Sequence, residues 1–149
     1  MSETSVLKDL MQTLEDGQKG FEAGAAKLEN DGSPGIAHAF REFGAQRATF
    51  AAELQECARA DGEEIAEHGS VAGTVHRGWM TLKDALAGDD PNGVLDAAEQ
   101  GEDYATGEYD KALQSDELSP STRTIVARQR DQVRAVHDQV RAMRDEASV

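Results

Sequence analysis

Apolar residues recur along this chain in alternating steps of three and four, the spacing of one face of an α-helix. The first run is Leu7, Met11, Leu14, Phe21, Ala25 and Leu28, and the second is Ile36, Phe40, Phe43, Phe50, Leu54 and Cys57. A shorter run follows in Val71, Val75, Trp79, Leu82 and Leu86. Leu95, Ala98, Ala105, Tyr109 and Ala112 make a fourth run, and Val126, Val133, Val136, Val140 and Met143 a fifth. No run of β-branched residues alternates with a period of two. The pattern predicts an all-α protein.

Proline marks where these helices begin. Pro34, Pro91 and Pro120 each follow a capping residue, Ser33, Asp90 and Ser119. Proline suits the first helical position because its missing N–H has no intrahelical partner there, and a preceding Ser or Asp can cap the next amides. Another helix starts near Ser2 to Ser5, and Ser70 is placed to cap one more. The predicted helices span 4–29, 34–60, 71–87, 91–115 and 120–146. The four long ones reach roughly 40 Å each at the helical rise. Short turns join the first pair and the last pair, making two antiparallel hairpins. Between the hairpins, residues 61–90 hold the shorter helix. One long crossover between two helical hairpins is the connectivity of a ferritin-like four-helix bundle. A single domain over residues 1–149 is expected, with no internal repeat.

Charge narrows the range of partners. Fifteen basic residues against 29 acidic ones give a net charge of −14. Such a field repels nucleic acid phosphates and anionic membrane surfaces. No apolar run approaches the roughly 20 residues that span a bilayer. The start, MSETSVLKDL, has no basic and apolar leader pattern, so a cytoplasmic protein is expected. The charge is uneven: residues 119–149 hold six arginines and four acids. The last helix is therefore an arginine-bearing partner for three acidic neighbours, and attraction across seams helps fix which helices pair.

Four polar residues interrupt the apolar stripes near mid-helix: Gln18, Arg47, Glu102 and Gln129. Buried polar groups cost a few kcal/mol unless partnered, roughly as transfer data indicate. Four at similar depth point to a buried polar layer in which Arg47 pairs with Glu102. The alternative is a metal site. A ferritin-like dinuclear site takes a Glu from each of two helices and a Glu-x-x-His from each of the others. The residues three before His38, His68, His76 and His137 are Gly35, Ile65, Gly73 and Arg134, so that motif is absent. The remaining metal-ligand candidates are Glu15, Glu22, Glu53, Glu99, Glu102 and His137. Carboxylate pairs of this kind arise by composition alone in so acidic a chain.

Glycines flank the polar positions at Gly17, Gly20, Gly24, Gly101 and Gly107, which predicts close approach of helix backbones there. A single cysteine, Cys57, excludes an internal disulfide and any zinc site built on several thiolates. Cys57 lies on an apolar stripe and reads as a small buried hydrophobe. His38 lies in a helix faintly like that of histidine-phosphotransfer domains, without the Lys-Gly that follows their histidine. His137 borders the interior and reads as a structural histidine. The crossover carries the only tryptophan, Trp79. Its apolar face either covers the bundle or meets another chain, and Trp79 and Met80 are the candidate contacts of a homodimer.

Four stretches carry a family resemblance: Leu14 to Phe21, Arg47 to Leu54, Gly69 to Trp79 and Glu99 to Asp103, of which the third is the most specific. In these the chain resembles a domain-of-unknown-function family of uncharacterised bacterial proteins with a ferritin-like four-helix bundle. The resemblance covers roughly residues 5–145. It implies the fold and a bacterial, cytoplasmic setting, and brings no activity; wider relatives of the fold bind two metal ions or occur among stress-response proteins. The expected function is thus a non-enzymatic bundle protein with a scaffold or stress-associated role and no cofactor. A metal-binding protein holding iron or another divalent ion is the alternative. An acidic module that docks basic protein partners is the third reading.

Overall fold

The computed structural model describes residues 2–63, 65, 78–88 and 90–147. Its five helices are α1 (Glu3–Asn30), α2 (Pro34–Ala60), α3 (Leu82–Ala87), α4 (Pro91–Gln114) and α5 (Pro120–Ala147). No strand occurs among the described residues. Three prolines open α2, α4 and α5, as their fixed φ favours. The Ser2 hydroxyl accepts the Ser5 amide at 3.2 Å, and the Asp90 carboxylate accepts that of Asn92 at 2.9 Å. Ser119 caps α5 through the Thr122 amide. Ser33 makes no such bond, so Pro34 alone marks the start of α2. The first helix runs unbroken through Asp16-Gly17-Gln18-Lys19-Gly20.

The short helix departs from the predicted 71–87. Residues 71–77, with the proposed Ser70 cap, lie outside the described residues. From 78 to 81 the chain turns, and helix begins only at Leu82. Gly78 is the cause: its φ of +58° lies in the left-handed region, which no helix continues. A Cβ there would also stand 2.5 Å from the Cβ of Tyr104 on α4.

Neighbouring side chains give the helix directions. Gly24, late in α1, faces Val94, early in α4, and the Ser119 amide at the start of α5 donates to Glu3 at the start of α1. Helices α1 and α4 are therefore antiparallel. Gln129 of α5 reaches Phe50 of α2, while Thr122 and Ser119 meet Cys57 and Asp61 at the far end of α2. So α2 and α5 are antiparallel as well. The closest packing is α1 on α2 and α4 on α5, with α1 also on α4 and α2 on α5. Helices α2 and α4 then run the same way, so that the end of α2 and the start of α4 lie at opposite ends of the bundle.

Two apolar clusters fill this arrangement. One gathers Leu7, Leu10, Leu14, Phe50, Leu54, Tyr109 and Val126. The other gathers Phe21, Phe40, Phe43, Trp79, Val94, Leu95 and Val140. Phe21 meets Phe40, Phe43 and Trp79 edge to face, with ring centroids 5.0–5.4 Å apart. Along α1, α2 and α4 the switch from one cluster to the other falls at Gln18, Arg47 and Glu102, and along α5 it falls between Val133 and Val136.

Trp79 is an interior residue, which corrects its expected place at an interface. It is 3% exposed and inserts between α1 and α4, whereas its neighbour Met80 is 80% exposed. Glycines on both helices make the slot. A Cβ added at Gly20 would fall 2.4 Å from the indole, and one at Gly101 2.3 Å. The close approach predicted around the glycines is thus of a side chain to two backbones. Gly24 opens onto Phe40 and Val94, while Gly107 faces nothing within 4 Å. Among the described residues no helix is long and apolar enough to cross a membrane.

Candidate functional site

The centre of the bundle holds an ion pair. Arg47 of α2 donates through Nη1 and Nη2 to both carboxylate oxygens of Glu102 on α4, at 2.6 and 2.5 Å. Both side chains are buried, at 1% and 0% exposure. The third nitrogen, Nε, donates to Gln46 Oε1 at 3.2 Å, and the guanidinium carbon lies 5.4 Å from the centre of the Phe21 ring. A planar fork on a carboxylate is the strongest pairing these groups make, and the cation over an aromatic face adds to it.

The other two mid-helix residues stand elsewhere. Gln129 is fully buried one turn further along, where its Oε1 accepts the Tyr109 hydroxyl at 2.7 Å. Its amide donates to the Phe50 carbonyl and to Glu53, both at 3.2 Å. Burial holds the Tyr109 phenol far above the ordinary tyrosine range. Gln18 is only half-buried, on the flank of α1, and donates to the exposed Glu22 at 3.3 Å. The four residues therefore do not form one layer. A helix advances about 100° per residue, so a mid-stripe position can sit at the rim as readily as at the centre.

The six metal-ligand candidates are likewise dispersed. Glu102 is engaged by Arg47. Glu53 takes Arg128 and Gln129. Glu22 is exposed, and Glu15 is half-buried in the groove between α1 and α2 beside Gln18, Ala48 and Gln55. Only Glu99 and His137 come together, joined by Asp103, which the sequence reasoning missed. One donor atom from each of Glu99, Asp103 and His137 lies within 4.8 Å of the others. His137 Nε2 is 2.6 Å from Asp103 and 4.0 Å from Glu99. The signal for Asp103 was present, since Glu99 and Asp103 are four residues apart and share one face of α4.

The arginines of α5 face acids across two seams. Arg128 pairs with Glu53 of α2, Arg130 with Asp110 of α4 at 2.8 Å, and Arg141 with Glu99 at 3.0 Å. Arg144 adds contacts to Glu99 and Asp96. Bonding to Asp110 raises the Arg130 guanidinium further above its usual value.

At the end of the bundle where α1 and α5 begin and α2 ends, Cys57 lines a cleft with Glu53, Glu56, Asp61, Ser119 and Thr122. Burial pushes the Cys57 thiol up, and the carboxylates of Glu3, Glu53 and Asp61 add to the shift. A thiol held protonated is a poor nucleophile. Beside it, a hydrogen bond to the Glu3 carboxylate raises the Asp61 carboxyl.

A family profile described as "Domain of unknown function (DUF2383)" matches residues 2–116. No curated protein matches the chain. The matched span takes in α1 to α4, and α5 lies beyond it. Because the match covers well over half of the sequence, the chain belongs to the DUF2383 family.

Proposed function

We propose that this DUF2383-family chain is a ferritin-like four-helix bundle whose centre is a structural ion pair, and that it serves as a non-enzymatic scaffold. Support for the ferritin-like arrangement comes from its two antiparallel hairpins, with α2 and α4 running the same way. The observation that carries the functional reading is the Arg47–Glu102 pair, closed on itself at the level where a bundle of this kind places inward-facing ligands. Arg47 occupies both oxygens of Glu102 and brings a fixed positive charge. That carboxylate is joined by no second carboxylate or imidazole to make a ligand set among the described residues, so the centre offers a dication nothing to bind. Gln129 and Tyr109, two further buried polar groups of the core, satisfy each other.

Aerobic addition of ferrous iron to the purified protein tests this reading. Oxidation no faster than in buffer, for the wild type and for Glu102→Ala alike, is the expected result. A burst of oxidation that disappears in Glu102→Ala would falsify it.

A further inference from the structure

We propose that Glu99, Asp103 and His137 form a peripheral site for a divalent transition-metal ion on the seam between α4 and α5. This site is separate from the central ion pair. Its donors come from two helices, with Glu99 and Asp103 one turn apart on α4 and His137 facing them from α5. The imidazole is 11% exposed. Its Nε2 atom is shielded from solvent and faces the Asp103 carboxylate. At 2.6 Å from an Asp103 oxygen, it is aimed into the cluster.

The separations suit a shared ion after small shifts. Ligands about 2.0–2.1 Å from a tetrahedral ion stand roughly 3.3 Å apart. The observed contacts of 2.6 and 4.0 Å bracket that value. Asp103, 62% exposed, can swing to equalise them.

Charge and chemistry agree with this placement. Asp96, Glu99 and Asp103 from α4 and Asp138 and Asp145 from α5 surround the cluster, against the cations Arg141 and Arg144. The balance is negative with the imidazole neutral. A carboxylate has about four acceptor positions. Glu99 gives one to Arg141 and one to Arg144 and keeps others for a metal. The arginines then orient Glu99, as hydrogen-bonding partners of ligating carboxylates commonly do. One nitrogen with two carboxylates favours zinc, manganese or ferrous iron over magnesium or calcium.

The test is a zinc titration of the chelator-treated full chain by calorimetry, with millimolar magnesium present to occupy exposed carboxylates. One equivalent of zinc is expected to bind. Asp103→Asn should weaken it at least about tenfold and His137→Gln more, a loss comparable to those seen when metal-site partners are removed. Glu22→Gln, remote and exposed, should leave it unchanged. Cobalt added in place of zinc should give a visible spectrum that His137→Gln loses. Should His137→Gln fail to fold, Asp103→Asn decides, because that side chain is at the surface. Absence of stoichiometric zinc binding, or equal affinity in the wild type and Asp103→Asn, overturns the proposal. Neither result bears on the central pair, which the ferrous iron experiment addresses on its own.

Discussion

Arg47 and Glu102 face each other from α2 and α4 as a two-bonded fork in the middle of the protein, at 2.6 and 2.5 Å, with apolar clusters to either side. A buried pair of this kind is costly to break and not costly to replace. Removing one partner leaves an uncompensated charge in the interior, which destabilises by about 3–5 kcal/mol. Replacing both with apolar groups of similar volume is often neutral or stabilising. Urea denaturation should therefore show a large loss for Glu102→Leu and for Arg47→Met alone. The double variant should recover most of it. Additive losses would mean that the two residues do not act as a unit.

Trp79 and its two glycines make a second coupled set. Gly101→Ala places a methyl 2.3 Å from the indole, and Gly20→Ala one at 2.4 Å. Overpacking of a rigid ring costs about 1–3 kcal/mol. Each substitution should lower the midpoint of unfolding and shift tryptophan emission to the red as the ring leaves its slot. In a Trp79→Ala background, Gly101→Ala should cost far less, because the clash is gone. An equal cost in both backgrounds would show that the glycine is needed for something other than the indole.

Cys57 titrates upward in the folded protein, chiefly from burial and then from Glu3, Glu53 and Asp61. A raised folded value means that the protonated thiol is favoured, and the thiolate appears only as pH rises past the ordinary cysteine range. Alkylation at pH 8 should run slower than that of glutathione and climb steeply above pH 9, with folding monitored in parallel. Asp61→Asn should move the curve to lower pH by removing one of the three negative neighbours. Labelling as fast as glutathione at pH 8 would contradict the burial of this thiol.

The helix starts show how much of the fold the residues announce locally. Pro34, Pro91 and Pro120 open their helices where the sequence places them, and α2 spans the predicted 34–60. Capping, proline geometry and apolar spacing act within a few residues, so they are readable from a string. The short helix is the instructive departure. Apolar spacing from Val71 to Leu86 looked continuous, yet Gly78 adopts a left-handed φ, and Tyr104 of a distant helix leaves no room there for a Cβ. Trp79 follows the same logic. Its apolar bulk was evident, but its slot is made by Gly20 and Gly101, which lie far from it along the chain.

The candidate site divides along the same line. Periodicity determined that Arg47 and Glu102 sit on core-facing stripes, and composition that the acids concentrate outside the last helix while arginines concentrate within it. Which polar groups meet was decided by the relative axial register and rotation of packed helices. A shift of one residue turns a side chain by about 100°, enough to carry Gln18 to the flank while Gln129 stays in the core. The same register brings His137 of α5 to Glu99 and Asp103 of α4, while it leaves Glu15, Glu22 and Glu53 apart. Local chemistry chose the helices; packing the four long helices against one another chose the neighbours.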